Sequence, residues 1–509
     1  MAIAKQVSSN LEWRINVPDG TSERLVPESA TVLKLWLRLK GLLEGMILKI
    51  YKFLYKAWKL AVAEPKKVIH GIKVGLAISL VSLFYYMRPL YESVGGNAMW
   101  AIMTVVVVFE STIGATFCKC INRAIGTSLA GSIGVGVHWI ASHSSKDMEP
   151  IIIGASVFVL VSAATFSRFM PTIKARFDYG VLIFILTFSL VSVSGYRVDK
   201  LFEMAHHRVS TIAIGTSLCI IVSMVVCPIW AGGELHQLIC LNLEKLAYSL
   251  DECVAEYFKD NKTSSAAAIE EDCRKKMLGY KCVLNTKATE ESMATFARWE
   301  PAHGRFNFRH PWKQYLKIGA SMRNSAYCIE TLNGCVNSKI QAPIHLKSHL
   351  KRICLRLSTT SSNVLQELTS TMKTMKKSSK IELLVGEMSF AVEELRNAMK
   401  SIPNHLIITT PSSSEAHPGE ANTDPMTKIT ATPPFMEILP LATIVSMLIQ
   451  SAARIEGIVN EVDELAAMAE FKPATDKKPN HTRTHTRSTK IHTYDNQDHD
   501  QTMKTPPKV

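Results

Sequence analysis

Six apolar segments follow one another between Val68 and Trp230, and they constrain the fold more than any other feature of the chain. They reach the roughly 17 to 25 residues that a helix needs to cross the hydrocarbon layer of a bilayer. Backbone polar groups in lipid are satisfied only within helices or closed barrels, and the segments lack the alternating polar face of a barrel. The sequence therefore predicts six transmembrane helices, near residues 68–87, 98–117, 121–141, 150–166, 177–194 and 201–230.

The residues before these segments divide into a polar tail and a basic helix. Residues 1–30 contain Pro18, Gly20 and Pro27 and have no apolar core of the kind found in a cleavable signal peptide, so we expect an extended tail. Residues 31–67 mix large apolar side chains with lysines at spacings of three, four and three, which fall on one helical face. This pattern predicts an amphipathic helix on an anionic membrane surface. Packing on the protein's own soluble domain, or binding to a calmodulin-like partner, is the alternative.

The composition changes after Trp230 to charged amphipathic stretches with helical spacing. We predict a cytosolic helical domain over residues 231–400, a flexible Ser/Thr/Pro linker over 401–434, a helix over 435–470 that packs on the domain, and a disordered polar tail over 471–509. The predicted helices lie near residues 234–260, 264–298, 311–338, 344–375, 381–400 and 435–470. The fold class is therefore all-α, with a membrane part followed by a soluble part.

Charge and cysteine content exclude some functions and orient the chain. The formal net charge is +14, but no aromatic and basic module of a nucleic-acid-binding protein accompanies the basic residues, so we expect no nucleic acid. The basic N-terminal approach and the even-numbered loops predict that both termini are cytosolic. The 11 cysteines form no CxxC pair, which is typical of buried thiols in a reducing compartment.

Ionisable residues inside the apolar segments are the candidate functional residues, because a charge at membrane depth is costly and usually faces a wet cavity. They are Lys73, Glu110, Arg123, His206, His207 and Arg208.

Arg123 and Arg208 have the side chain best suited to an anion path. A guanidinium group stays protonated and makes paired hydrogen bonds to a carboxylate, so these arginines are predicted to line a narrow aqueous pore. The alternative is that both reach lipid headgroups at helix ends. Lys73 fits either role. Glu110 is expected to pair with one of these cations or to cap a neighbouring helix, since it would repel an anion.

The two adjacent histidines, His206 and His207, raise the alternative of a membrane-embedded enzyme. They point to different helical faces and do not form the i, i+4 pair of a metal-binding helix. No catalytic motif accompanies them, so we predict no enzymatic activity, no cofactor and no metal site.

Several motifs are similar to those of the plant aluminium-activated malate transporters. They are GNAMWAIMTVVVVFE, the GAT and NRAIGT turn, KARFDYGVLIFILTFSLVSVSGYR, HHRVSTIAIG, CPIWAG and WEPAHGRF. The resemblance implies an anion channel with six spans and a cytosolic helical domain, assembled as a homodimer around a central pore. It also implies that Arg123 and Arg208 are the pore arginines, and that Lys73 is the lysine of the first span.

The resemblance also implies that Trp299, Glu300 and Pro301 matter for transport and gating. Proline lacks an amide hydrogen and disfavours the α conformation of the residue before it, so Pro301 is predicted to end a helix, with Trp299 anchoring the break.

The sequence therefore predicts passive transport of malate, and of other organic or inorganic anions, across a plant membrane. The plasma membrane is favoured over the vacuolar membrane. The alternatives are a proton-coupled organic-acid exporter that uses Glu110 and the histidines as a relay, and a membrane-tethered scaffold without transport.

Overall fold

A computed structural model describes residues 14–16, 22–24, 30–86, 98–145, 147–195, 201–259, 267–408 and 435–473. The expected disorder of residues 474–509 lies outside these ranges. Within the predicted N-terminal tail, β1 (Arg14–Asn16) pairs with β2 (Ser22–Arg24) as an antiparallel hairpin. The connecting sequence contains Pro18 and Gly20, residues that favour turns, and this explains why part of the tail folds back on itself.

The basic N-terminal segment forms one long helix, α1 (Ala30–Ala63). Its large apolar side chains are exposed almost throughout. At 100° per residue the basic residues Arg38, Lys49, Lys52, Lys56 and Lys59 fall within an arc of about 80°. The described protein thus presents a helix that has a narrow basic stripe and a broad uncovered apolar face.

Among the described residues of the apolar region, residues 65–225, there are five further helices and one short one. They are α2 (Pro65–Tyr86), α3 (Ala98–Val108), α4 (Ile113–Ser142), α5 (Glu149–Ser167), α6 (Pro171–Gly195) and α7 (Leu201–Val225). Helix α4 packs against α6, and α3 packs against α7. Close approach of α4 and α6 depends on glycine, because a Cβ at Gly126 would lie 2.5 Å from the carbonyl oxygen of Gly180.

Three of the predicted segment boundaries are wrong, and one of them is the start of the third segment, which begins at Ile113 rather than near residue 121. The second segment does not continue as one helix to residue 117, because α3 ends at Val108 and a new helix begins at Ile113. An 11-residue helix rises only about 16 Å, too little to cross the hydrocarbon layer unaided. The last segment ends at Val225 rather than at Trp230, since Cys227 has a positive φ of 40° and Pro228 follows.

The C-terminal helical domain spans residues 231–473. Its helices are α8 (Ala231–Tyr257), α9 (Ala267–Met277), α10 (Tyr280–Leu284), α11 (Lys287–Ala297), α12 (Trp312–Val336), α13 (Ile344–Thr374), α14 (Ile381–Ile408) and α15 (Phe435–Met468). One continuous apolar core joins them. A two-residue parallel pairing of β3 (Lys376–Lys377) and β4 (Lys472–Pro473) ties the end of the described chain to the end of α13.

Two helix predictions in this domain need correction. The stretch near 264–298 is not one helix, because turns at Gly279 and Asn285 divide it into α9, α10 and α11. Helix α14 does not end at Lys400 but continues to Ile408, through the first residues of the predicted linker.

The described protein is all-α apart from the two short strand pairs, which confirms the predicted fold class. By length and composition four described helices are able to cross a membrane: Ile113–Ser142, Glu149–Ser167, Pro171–Val193 and Ile438–Met468. The fourth lies within α15 and buries its apolar face, including Ile444, Leu448 and Ile455, in the core of the C-terminal domain. The count of six spans stays a prediction.

Candidate functional site: a buried arginine and the joint at Glu300

The break between α3 and α4 is the centre of the apolar region. Thr112 adopts an extended backbone and caps α4, its hydroxyl oxygen accepting from the amide of Ala115 at 3.4 Å. The hydroxyl of Thr116 bonds the backbone on both sides of the break, accepting from the amide of Glu110 at 3.1 Å and donating to the carbonyl of Thr112 at 3.1 Å. The amide of Ile113 donates to the carbonyl of Ile229 at 2.9 Å, which anchors the break to the end of the apolar region.

Glu110 lies in this break rather than inside a helix. Its carboxylate pairs with Lys119, two turns further along the chain, and not with Lys73 or Arg123. Lys119 also donates to the carbonyl of Val107 at 3.4 Å and lies 5.6 Å from the ring centre of Tyr179. The charge of Glu110 is thus balanced locally, at the surface of α4.

Arg123 lies one turn further along α4 and is almost fully buried, with 8% of its surface exposed. One guanidinium nitrogen, Nη1, donates to the hydroxyl of Tyr179 at 3.3 Å. The Nε atom has no hydrogen-bond partner, and within the described residues no carboxylate pairs with the side chain. Arg123 therefore keeps an uncompensated positive charge between helices α4 and α6.

A small cavity of about 20 Å³ borders this arginine, enough for about one water molecule. It lies among α3, α4, α6 and α7, and its lining residues are Trp100, Arg123, Ile183, Leu186, Thr187, Thr211 and Ile212. The wall is mainly apolar, with the arginine and two threonines as its polar groups. Such a lining leaves the guanidinium as the dominant charge facing the cavity.

Lys73 is even more deeply buried, at 1% exposure, on α2. Its ammonium group has no hydrogen-bond partner in the described part of the chain. The surrounding core of the apolar region is formed by Ala77, Val81 and other apolar side chains. A lysine that reached the headgroups would be solvent-exposed, so this geometry favours an internal position.

The remaining candidates in the apolar region are only partly placed. The backbone of His206, His207 and Arg208 lies in the first turns of α7. Their side chains lie outside the described residues, so their predicted pore and gating roles stay predictions.

Glu300 occupies the junction between the apolar region and the C-terminal helical domain. Its Oε1 accepts from the amides of Gly114 at 3.1 Å and Ala231 at 2.5 Å, and its Oε2 accepts from the amide of Gly232 at 3.0 Å. The two nitrogens at Ala231 and Gly232 begin α8, and the one at Gly114 begins α4. One carboxylate therefore caps two helices, which suits the positive end of a helix dipole. We call Glu300 and these three amides the Glu300 joint.

Two close approaches make the Glu300 joint possible. A Cβ on Gly114 would overlap the carbonyl of Phe296, and a Cβ on Gly232 would overlap the ring of Trp312. Burial raises the pKa of Glu300, while the three amides and the nearby His303 oppose that rise. A further contact between the regions is the ion pair of Lys66 with Glu234, at 2.6 Å.

The flanking residues of the motif have different positions. Helix α11 ends at Ala297, three residues before Glu300, so the helix terminates as predicted but earlier than Pro301 itself. The carbonyl of Pro301 accepts from His303 Nδ1 at 2.9 Å. Trp299 is half-buried. The ring of His303 stacks on Trp230 at 3.8 Å, which holds the loop against the start of α8.

A cluster of histidines and aromatic rings lies behind the joint. The hydroxyl of Tyr315 bonds His236 Nδ1 at 2.9 Å and His310 Nε2 at 3.2 Å. Burial lowers the pKa of both histidines to about 4. Two neutral rings allow the hydroxyl to donate to one and accept from the other, so the cluster is satisfied without extra protons.

Sequence reasoning missed Lys119, Tyr179, Gly114 and Gly232. Tyr179 and both glycines stand inside or beside motifs that were recognised, but their importance depends on contacts between distant segments. Within the described ranges, no three His, Cys, Asp or Glu side chains are grouped so as to hold a metal ion.

Apolar helices with buried cations, joined to a C-terminal helical domain, are typical of an integral membrane protein. A family model described as "Aluminium activated malate transporter" matches residues 58–431. The chain belongs to this family. Its members are transporters, which confirms the prediction that the protein is not an enzyme.

Similar proteins cover nearly the whole chain. Aluminum-activated malate transporter 10 of Arabidopsis thaliana is 55% identical over 489 residues, 94% of this chain and 97% of that protein. Aluminum-activated malate transporter 2 of the same plant is 42% identical over 432 residues, 85% of this chain and 80% of that protein. Aluminum-activated malate transporter 1 of Triticum aestivum is 37% identical, covering 88% of this chain and 92% of that protein.

Proposed function

We propose that the protein is a passive anion channel that conducts malate and other small anions. The observation that carries the proposal is the buried guanidinium group of Arg123, which pairs with no carboxylate among the described residues and borders a small cavity. Burying an ionic group without a partner is costly, so its retention indicates a role in which an anion supplies the missing charge. The names of the relatives, all malate transporters, supply the substrate.

Lys73 and Arg208 complete the proposed path. Lys73 has a buried ammonium group with no partner among the described residues, and therefore the same unmet electrostatic requirement as Arg123. Arg208 belongs to the path by the family resemblance. We place the path at the centre of a homodimer, so that each cation is present twice.

Such a channel needs no ATP. Moving a dianion across about 100 mV is worth roughly 4.6 kcal/mol, so an inside-negative potential drives efflux once the path opens. The rival proton-coupled exporter needs Glu110 to titrate freely. The ion pair of Glu110 with Lys119 gives that mechanism less support.

We also infer that the C-terminal domain is cytosolic and sets the open probability through the Glu300 joint. The joint fixes the starts of α4 and α8 relative to each other, and α4 carries Arg123. Any rotation of the C-terminal domain would therefore pull on the arginine helix. Helix α1, with its basic stripe, would lie on the anionic cytosolic leaflet beside it, and the plasma membrane is the favoured location.

Expression in oocytes tests the pore assignment. Arg123→Glu should abolish malate currents or invert the selectivity for anions, because it replaces the unpaired cation with a charge that repels the substrate. Lys174→Glu is the matched control, since it reverses the charge of an exposed cation on the neighbouring helix α6. Malate currents that stay at the wild-type level in Arg123→Glu, with normal surface delivery, would contradict the proposal.

A channel is separated from the two alternatives by its currents. Currents that reverse with the malate gradient and ignore an imposed proton gradient indicate a passive channel, whereas a coupled exporter would respond to both. A scaffold would give no flux when the purified protein is reconstituted in liposomes.

A further inference from the structure

A second cavity, much larger than the one beside Arg123, lies in the C-terminal helical domain. Its volume is about 440 Å³, within the range of pockets that hold small organic ligands. It opens between Arg298, which directly follows α11, the first turn of α12 and the last turns of α15. Its lining residues are Arg298, His310, Pro311, Trp312, Lys313, Gln314, Lys317, Glu464 and Met468.

The charges around this cavity are not balanced. Lys317 is paired with Glu464, at 3.2 Å, and Gln314 Nε2 donates to the same carboxylate at 3.0 Å. For Arg298 and Lys313, by contrast, the described part of the chain provides no ion pair and no side-chain hydrogen bond. The net charge of the lining groups is therefore positive.

The surroundings of Arg298 strengthen this imbalance. Desolvation and the positive charge of Arg176 lower the pKa of Arg298, so a second cation acts on this guanidinium group. The same cavity is lined by these two cations and by the apolar side chains of Pro311, Trp312 and Met468. This combination of a cationic rim and an apolar wall is typical of sites for amphipathic anions.

The wall of the cavity also touches the Glu300 joint. The ring of Trp312 lies directly against Gly232, and the amide of Gly232 donates to Glu300. His310, another lining residue, bonds Tyr315 behind the joint. Anything that fills the cavity would thus press on the residues that hold α4 and α8 together.

We propose that this cavity binds an organic carboxylate with an apolar body, the carboxylate held by Arg298 and Lys313 and the body resting on Trp312 and Met468. Guanidinium and ammonium groups make charge-assisted hydrogen bonds to a carboxylate, and the exposed Met468 beside the largely buried Trp312 supplies the apolar contact. Occupancy would alter the open probability through the Glu300 joint; this regulatory consequence rests on the proposed channel function, whereas binding itself does not.

Calorimetric titration of the purified full-length protein in detergent tests the binding. The probes are phenylsuccinate and succinate, which share two carboxylates and differ by an apolar ring. We expect phenylsuccinate to bind the wild type at least about tenfold more tightly than succinate, as burial of a ring predicts. We expect the double variant Arg298→Gln/Lys313→Gln to weaken phenylsuccinate binding by about tenfold or more.

Two controls separate this cavity from other anion sites. The double variant Lys281→Gln/Lys287→Gln removes the same charge from exposed positions of the same domain and should bind like the wild type. Arg123→Gln should retain the binding event that Arg298→Gln/Lys313→Gln loses, because the pore is a different site. Melting temperatures of all variants check folding, and the exposed positions of Arg298 and Lys313 predict little change.

Several results would overturn the proposal. They are equal binding by the wild type and Arg298→Gln/Lys313→Gln, loss of binding in Arg123→Gln alone, equal affinity for the two probes, or no heat of binding at millimolar probe. Recordings from excised patches then test the regulatory half, with phenylsuccinate added at the cytosolic face. If binding holds and malate currents are absent, the channel proposal fails while the site stands.

Discussion

Buried charges are treated in opposite ways in the two regions of the molecule. In the C-terminal helical domain, Glu290 is fully buried but bonds Arg323 at 2.6 Å and Thr286 at 2.7 Å, and Glu300 accepts three amide hydrogens. In the apolar region, Lys73 and Arg123 are buried to a similar degree and yet retain nitrogen atoms without partners.

The difference teaches which buried charges are structural. A buried carboxylate that accepts hydrogen bonds at both oxygens stabilises the fold around it, and removing it leaves orphaned donors. A buried cation without partners destabilises the fold, so its presence is explained by an anion that binds there during transport. Removing charges should therefore reduce stability in one region and transport in the other.

The strongest test of this difference is Glu300→Ala. The substitution orphans the amides of Gly114, Ala231 and Gly232 at two helix starts, so we expect a loss of about 3–5 kcal/mol of stability, or failure to fold. Melting temperature and gel filtration of the purified protein measure it. Glu464→Ala, which removes a half-exposed carboxylate, should change stability by less than about 1 kcal/mol. Comparable melting temperatures for the two variants would contradict the structural role of Glu300.

Protonation of the buried histidines provides the next test. His236 and His310 have pKa values of about 4 in the folded protein, well below that of an unfolded histidine, so the unfolded chain binds more protons between about pH 6.5 and pH 4. Stability is therefore complete above about pH 6.5 and falls as the pH drops towards 4, by on the order of 1–3 kcal/mol for each ring.

Thermal unfolding measured from pH 7.5 to pH 4.5 checks this slope. His310→Gln should flatten it, whereas His345→Gln, at an exposed position of α13, should leave it unchanged. A slope that is identical in all three proteins would place the pH dependence elsewhere.

Gly114 tests the same joint from the side of the apolar region. Gly114→Ala forces a Cβ against the carbonyl of Phe296, and we expect a loss of about 1–3 kcal/mol together with altered gating. Gly131→Ala lies in the same helix with open space around it, so it should be neutral or slightly stabilising. Equal effects of the two alanines on the melting temperature would show that the contact between the regions is not tight.

The sequence predicted the presence of most helices, but it did not predict the contacts between them. Apolar periodicity predicted α2, α5 and α6 to within a few residues, because each is a continuous apolar run. The break at 109–112 was missed because the apolar pattern continues on both sides of it. The hydrogen bonds of the Thr112 and Thr116 side chains, which hold the backbone in the break, are not visible in that pattern.

The role of Glu300 was beyond sequence reasoning for a different reason. Its carboxylate meets amides that are 186 and 69 residues away in the chain, and nothing near Trp299 or Pro301 indicates those partners. Arg123 and Lys73 were identified because a charge in an apolar run is visible in the sequence, although their lack of partners was not.

The smallest effect on stability, and the most direct contrast, is expected from Lys73→Met. Methionine fills a similar volume without the ammonium group, so the melting temperature should stay the same or rise, since an uncompensated buried charge is removed. Anion currents should nevertheless fall, because one cation of the proposed path is gone. Glu290→Met changes a buried charge of the C-terminal domain in the same manner, but it leaves Arg323 and Thr286 without their partner and should lower the melting temperature. If Lys73→Met instead destabilised the protein as Glu290→Met does, with currents intact, then Lys73 would belong with the structural charges, and its buried amine would no longer support an anion path.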